Sequence, residues 1–219
     1  MAAKKNLARD RQLDRRKPTR ASKKRFLIYC EGEATESDYF NDIRDEIRGA
    51  LVELKVDSPS SDPLKLVRGA TQRKLEAQRD AKRFKDEFLR FDEVWCVFDV
   101  DDHKTLEAAR VEAQKADVAI AVSNPCFELW ILLHFSDHSA YIETRDLPAK
   151  VRTHLPRYDK NLPDCSAIRS GRGDARSRAM RLAVMHDRNG SPGGNPSSDV
   201  WKLVDQIHRA AEPASAATA

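Results

Sequence analysis

The stretch FLIYCEGE, residues 26–33, decides the fold of this chain. Its first five residues have the aromatic and β-branched character of a buried strand, and this apolar run stops abruptly at Glu31. The stretch VWCVFDVDD, residues 94–102, repeats the arrangement, with Asp99 directly after the apolar run. In a parallel sheet, neighbouring strands of this kind place both acidic ends on the edge where open α/β sheets keep their sites. We therefore expect the clustered carboxylates to hold a divalent metal ion.

The segments around these two strands alternate between strand and helix patterns. Tyr39, Phe40 and Ile43 recur at helical spacing, and Thr35 with Asp38 forms a capping-box signal for the start of that helix. The second of these two strands is predicted to span 91–98. Further strands are predicted at 51–56 and 118–122, and further helices at 64–90, with a break near Gly69, and at 104–116. The 64–90 helix is expected to bury a narrow stripe containing Leu75, Phe84, Phe88 and Leu89. This order predicts an α/β fold with a mostly parallel sheet flanked by helices.

A third segment, SNPCFELW at residues 123–130, follows the strand at 118–122. Asn124 is a favourable N-cap and Pro125 a favourable first residue for an apolar helix that continues to Phe135. Glu128 lies in the first turn of this helix, where a carboxylate interacts favourably with the helix dipole. It also follows a strand of the sheet, so a place beside the other acids is the second interpretation.

The remainder of the chain carries weaker signals. A short helix is predicted at 146–154, a Gly/Pro/Ser loop at 189–198, and a last helix opened by Asn195-Pro196. His134 and His138 straddle the end of the apolar helix, which favours a structural role for both. A basic cluster around two glycines continues onto a helix, and its members are Arg169, Arg172, Arg176, Arg178 and Arg181.

Composition and charge limit the classes of protein. The 219 residues are 40% hydrophobic and 34% charged, which fits a soluble domain with one large core. No apolar stretch is long enough for a membrane span or a signal peptide, and the four cysteines form no CxxC pair, so we predict a cytoplasmic protein with reduced thiols.

The charge of the chain is distributed unevenly. Residues 1–25 hold eleven Lys or Arg and two acids, which gives this stretch a net charge of +9. Because the whole chain has a net charge of +4, the remaining residues carry −5. This basic stretch is either a solvated leader or an arm that binds nucleic-acid phosphates, and both can hold at once.

The acids themselves indicate the metal. Two unit charges about 4 Å apart at an effective dielectric near 20 repel by about 4 kcal/mol, so a cluster of Glu31, Asp99 and Asp101 either raises pKa values or recruits a cation. Oxygen ligands without Cys or paired His favour Mg²⁺ or Mn²⁺ over zinc. Gly32 permits close approach at the strand-to-helix turn. His103, directly after the acidic turn, is the histidine best placed to bind phosphate or to shuttle a proton.

Three motifs in order resemble the signatures of the RloB-like family. They are CEGEATE at 30–36, FDVDDH at 98–103 and SNPCFELW at 123–130, the last followed by LHF at 133–135. Weaker similarities are Tyr158-x-Lys160 and NPSS at 195–198. The resemblance spans roughly residues 24–208.

The resemblance implies a TOPRIM-like, Rossmann-like domain over 25–209, with a core at about 25–136 and a helical extension at about 141–209. Residues 1–24 are then a basic, disordered arm and 210–219 a disordered tail. The fold's metal centre would use Glu31, Asp99 and Asp101, whereas Glu36, Asp102, His103 and Glu128 match only the RloB-like motifs. The family is associated with restriction-modification and phage abortive-infection loci, which implies a partner protein encoded in the same locus. The later region is rich in arginine, whereas the resemblance implies only a loosely defined helical extension. The resemblance therefore does not identify the substrate.

These observations predict an Mg²⁺- or Mn²⁺-dependent nuclease that acts on RNA, including tRNA, or on DNA. Its catalytic residues would come from Glu31, Glu36, Asp99, Asp101, Asp102, His103 and Glu128. Its nucleic-acid backbone contacts would come from Lys160, Arg169, Arg172 and Arg176. Two alternatives stay open, a non-catalytic TOPRIM-like module that binds nucleic acid or a partner, and a phosphotransfer enzyme. A phosphatase of the haloacid-dehalogenase type is disfavoured, because His103 stands where a Thr or Val is expected.

Overall fold

The computed structural model describes residues 24–32, 34–48, 52–57, 62–100, 105–159 and 165–212. Most of the predicted N-terminal arm and of the C-terminal tail therefore lies outside the described residues. Four predicted site residues do so as well, namely Asp101, Asp102, His103 and Lys160.

The centre of the fold is a five-stranded sheet in the order β2-β1-β3-β4-β5. Its strands are β1 Lys24–Cys30, β2 Val52–Asp57, β3 Glu93–Asp99, β4 Ala119–Asn124 and β5 Ser197–Ser198. The first four strands run parallel, and the short β5 pairs antiparallel with β4. The predicted mostly parallel α/β sheet is thus confirmed.

Helices cover both faces of the sheet. They are α1 Thr35–Glu46, α2 Pro63–Phe84, α3 Leu106–Ala116, α4 Phe127–Leu133, α5 Leu147–His154, α6 Ser166–Arg188 and α7 Val200–Ala211, with short 3-10 turns at Glu87–Leu89 and Thr144–Asp146. Alternate residues of β1 enter two separate cores, since Phe26 and Ile28 pack with α1 and α4–α7, whereas Leu27 and Tyr29 pack with α2 and α3. Within the described ranges, no helix combines the length and apolar character that a membrane crossing requires.

Helix α2 differs from its prediction in three ways. It runs unbroken through Gly69, it ends at Phe84, and half of the residues it buries are alanines, with Ala70, Ala77 and Ala81 at 2% exposure or less. The predicted stripe is wrong, because Leu75, Phe84 and Phe88 are 47%, 62% and 63% exposed. Alanine side chains are small enough to let a helix lie close to a sheet. A prediction that considers only large apolar residues overlooks them.

Three predicted helix starts are also wrong in detail. Helix α1 has Ala34 at its N-cap, and the Thr35 hydroxyl instead lies 3.1 Å from that of Tyr158. Asn124 still belongs to β4, and α4 begins at Phe127. Asn195 precedes β5, and α7 begins only at Val200.

Both asparagines use their side chains to fasten loops. Asn124 Nδ2 donates to the carbonyl of Gly193 at 2.8 Å. Asn195 Oδ1 accepts from the amide of Ile142 at 3.1 Å, and its Nδ2 donates to the Ile142 carbonyl at 2.8 Å. Each asparagine is followed by a cis proline. An Asn-Pro pair therefore marks a loop anchor in this chain rather than a helix N-terminus.

His134 closes the C-terminal end of the buried helix α4. Its Nδ1 lies 2.8 Å from the Trp130 carbonyl, which can only accept, so Nδ1 carries the proton and Nε2 accepts from the Tyr39 hydroxyl at 3.3 Å. Burial, with a smaller contribution from the Arg172 charge, lowers the pKa of His134 from 6.5 to about 4. The histidine is thus a neutral, structural residue.

Helix α6 crosses α4 at Gly171, which yields the first prediction. A Cβ at Gly171 would overlap the backbone carbonyl of His134, whereas a Cβ at Gly173, on the same helix, would meet nothing within 4 Å. We expect Gly171→Ala to lower the free energy of unfolding by about 1–3 kcal/mol through overpacking. The matched control Gly173→Ala should raise it by about 0.5–1 kcal/mol through helix propensity. Chemical denaturation measures both, and equal effects of the two substitutions would contradict this crossing.

The second prediction concerns acid stability. The folded-state pKa of His134 lies below its unfolded value, so the unfolded chain takes up the proton first and stability falls as the pH drops from about 6.5 towards 4. At pH 5 this loss amounts to about 2 kcal/mol. His134→Asn keeps a donor near the Trp130 carbonyl but does not titrate. The stability advantage of the wild type over this variant should therefore shrink by about that amount between pH 7.5 and pH 5. An advantage that is independent of pH would mean that His134 is accessible to protons in the folded state.

Candidate metal centre

Two of the predicted acids meet where β1 and β3 end. The strands are adjacent and parallel, with Cys30 opposite Val97, so Glu31 and Asp99 leave the sheet at the same edge. The Glu31 amide donates to the Val97 carbonyl at 3.0 Å. Glu31 Oε2 in turn accepts from the Asp99 amide at 3.1 Å. The first carboxylate is therefore fixed against the end of the second strand.

A third carboxylate reaches the same edge from β4. Asp99 is opposite Ser123, and the chain passes from β4 into α4, whose first turn contains Glu128. Asp99, Cys126 and Glu128 each present one candidate ligand atom, and these three atoms lie within 4.8 Å of one another. Of the two interpretations of Glu128, the structure supports the one that places it beside the other acids.

Cys126 belongs to this cluster by position, although the sequence indicated only a reduced thiol. Burial, and then the charges of Glu128 and Asp99, raise the pKa of its thiol far above the ordinary value. A protonated thiol is a poor ligand for a hard cation, so the oxygen atoms are the useful donors here. We interpret Cys126 as part of the wall of the site.

Glu36 forms the inner side of the cluster. It lies in the first turn of α1, is 6% exposed, and its carboxylate occupies the space that a Cβ at residue 32 would need. This is the close approach for which Gly32 is required. Burial raises the pKa of Glu36 from 4.5 to about 7; the charges of Glu128 and Glu31 add to the shift, and backbone hydrogen bonds oppose it. Near neutral pH this carboxyl group can therefore either hold or release a proton.

Tyr158 connects the helical extension to the site. It is 2% exposed, and its hydroxyl donates to Glu128 Oε1 at 2.8 Å and lies 3.1 Å from the Thr35 hydroxyl. Thr35, Tyr158 and Glu128 thus form a buried chain of hydrogen bonds between α1, the segment after α5, and α4. Sequence reasoning did not include Tyr158 among the site residues. The sequence indicated Tyr158 only through the weak Tyr158-x-Lys160 similarity. Tyr158 and Glu128 are 30 residues apart, and no local sequence pattern connects positions at that distance.

The arginines proposed for nucleic-acid contact have partners inside the fold. Arg169 Nε lies 2.9 Å from Asp42 Oδ2, Arg172 Nη1 lies 2.7 Å from Glu46 Oε2, and Arg176 Nε lies 2.7 Å from Asp205 Oδ2. These ion pairs fasten α6 to α1 and α7 and give the three arginines a structural role.

The site and its fold define a class of protein: a mostly parallel α/β domain with a carboxylate cluster at the carboxyl ends of its central strands. The family model described as RloB-like protein matches residues 26–207. The chain belongs to the RloB-like family, as its three motifs indicated. Neither the curated proteins nor the solved structures contain a significant match to it.

The third prediction tests the hydroxyl chain. Tyr158→Phe removes a buried hydrogen bond to a carboxylate, which should lower the free energy of unfolding by about 1.5–3 kcal/mol. Tyr141 is the matched control, because its hydroxyl donates to Glu143 Oε1 at 2.9 Å while the residue is 69% exposed. Tyr141→Phe should change stability by no more than about 0.5 kcal/mol. Thermal unfolding of both variants gives the comparison, and similar effects would show that the Tyr158 bond is open to solvent.

Proposed function

We propose that this chain is a metal-dependent nuclease that hydrolyses phosphodiester bonds of RNA or DNA in bacterial defence against phage. The observation that carries this proposal is the convergence of Glu31, Asp99 and Glu128 from three different chain segments on one edge of the sheet. The defence role and the partner protein from the same locus come from the family resemblance, and the site geometry is independent of them.

The residues present fit a hard divalent cation. Glu31, Asp99 and Glu128 offer carboxylate oxygens, the donors that Mg²⁺ and Mn²⁺ prefer. The resemblance adds Asp101, which lies outside the described residues. Burial is the main cause of the raised pKa of Glu36, and the charges of Glu128 and Glu31, which a cation would neutralise, add to it. When bound, Mg²⁺ would supply Lewis acidity for the phosphate and lower the pKa of a bound water.

The chain's own residues would position ligands and handle protons. The Asp99 amide holds Glu31 in place, and the Tyr158 hydroxyl does the same for Glu128. Glu36, with a pKa of about 7, is the group best suited to accept a proton from the attacking water or to return one to the leaving oxygen. Asp102 and His103 remain further candidates by their place after the acidic turn.

The fourth prediction is that Asp99→Asn abolishes cleavage. The substitution preserves shape but removes the negative charge at the end of β3. The loss of activity should exceed the roughly 10–100-fold that follows loss of an outer hydrogen-bond partner at a metal site. Asp117→Asn is the control, because Asp117 is an exposed acid at the opposite edge, between α3 and β4. Panels of RNA, tRNA and DNA are incubated with Mg²⁺, with Mn²⁺ and with chelator.

Undiminished cleavage by a folded Asp99→Asn variant would refute the assignment. If the wild type binds nucleic acid without turnover under every divalent metal, and chelator leaves binding unchanged, the chain is the non-catalytic binding module instead.

A further inference from the structure

A second charged surface lies at the far end of α2, away from the acidic edge. The basic aromatic surface consists of the exposed residues Arg79, Lys82, Arg83, Phe84, Lys85 and Phe88. Helix α2 begins after β2, at the acidic edge, and ends shortly before β3 begins. Its C-terminal end therefore lies at the opposite, amino-terminal edge of the parallel strands.

The two phenylalanine rings are held outward by a well-defined backbone. Lys85, with φ 53°, ends the helix in the left-handed conformation. The Asp86 side chain then accepts from the Phe88 amide at 2.9 Å, and Arg25 Nη1 donates to the Phe88 carbonyl at 2.8 Å. The backbone around Phe88 is thus fixed while the ring itself is 63% exposed. This exposure leaves the Phe88 ring accessible for stacking.

The cations of this surface differ from those of α6. Within the described ranges, Arg79, Lys82, Arg83 and Lys85 take part in no ion pair, whereas five of the six arginines of α6 do. The Arg83 guanidinium lies 5.3 Å from the centre of the Phe84 ring. The helix dipole accounts for cations in the last turn of α2, but not for two exposed phenylalanines beside them.

The basic N-terminal stretch joins the body at the same place. Residues 1–25 carry a net charge of +9, and β1 begins at Lys24. Arg25 contacts both the Phe88 carbonyl and the ring of Phe91, whose centre lies 4.8 Å from its guanidinium carbon. Unpaired cations, exposed rings and the first residues of β1, which the basic stretch precedes in the sequence, therefore share one edge.

We propose that the basic aromatic surface binds single-stranded nucleic acid, as an anchor separate from the acidic site. The cations contact phosphates, and unpaired bases stack on Phe84 and Phe88. The proposal rests on the proposed function for the ligand class, nucleic acid, but it does not depend on cleavage. The five α6 arginines that form ion pairs within the fold are not part of this anchor.

Binding of the full chain to a fluorescently labelled single-stranded 20-mer, as RNA and as DNA, tests the proposal. Fluorescence anisotropy is measured in EDTA, which prevents metal-dependent cleavage, at several salt concentrations. Phe84→Ala/Phe88→Ala should weaken binding at least tenfold and leave the salt dependence unchanged, because stacking involves no counterion release. Lys82→Ala/Arg83→Ala should weaken binding and reduce the slope of log K against log salt by about 1.4, since each phosphate contact on a single strand contributes about 0.7.

Matched controls lie elsewhere on the surface. Leu75→Ala/Val111→Ala removes two other exposed apolar side chains, and Arg145→Ala/Lys150→Ala removes two exposed cations without an ion pair in the described part of the chain. Both should bind like the wild type. All variants replace exposed side chains, and circular dichroism verifies their folding.

Two results would overturn the anchor. One is a folded Phe84→Ala/Phe88→Ala variant that binds as tightly as the wild type. This includes a variant that has lost only self-association, because the surface would then contact a second copy of the chain instead of nucleic acid. The other is a wild type that binds no single strand. A chain that binds through this surface but cleaves nothing would instead retain the anchor and refute the nuclease, so the two failures are distinguishable.

Discussion

Repulsion among carboxylates at one edge of the sheet is the constraint on which the rest of the site depends. Parallel pairing of β1, β3 and β4 brings Glu31, Asp99 and Glu128 together whether or not their charges are compensated. Two charges about 4 Å apart repel by several kcal/mol at an effective dielectric near 20. The fold holds them there through hydrogen bonds from the Asp99 amide and the Tyr158 hydroxyl. Burial, with a smaller contribution from the charges of Glu128 and Glu31, raises the pKa of the neighbouring Glu36 to about 7.

The helical extension is part of the site rather than an appendage. Tyr158 comes from the segment after α5, and α6 fits closely over the end of α4 at Gly171. Helix α4, which carries Glu128, is therefore held between the sheet and the extension. A substitution that loosens the contact between α6 and α4 should therefore displace Glu128, the third carboxylate of the site.

The sequence predicted the parts of the fold whose signal is local. The apolar runs ending at Glu31 and Asp99 gave the parallel strands and the acidic edge, and a place for Glu128 beside these acids was one of its two interpretations. Tyr158 and the alanine face of α2 escaped prediction, because one depends on a contact across 30 residues and the other on close packing of small side chains. Asn124 and Asn195 were misassigned as helix starts because their side chains fasten loops instead. The ion pairs of the α6 arginines also escaped prediction, because their acidic partners lie far away in the chain.

The central claim is that this acidic edge binds a divalent cation, and a crystal soaked in Mn²⁺ tests it most directly. Anomalous scattering should place one ion in contact with carboxylate oxygens of Asp99 and Glu128, with Glu31 beside them. The same soak of Asp99→Asn crystals should show that peak strongly reduced. Saturating Mn²⁺ that leaves the acidic edge of a folded wild-type chain without an anomalous peak would contradict the account.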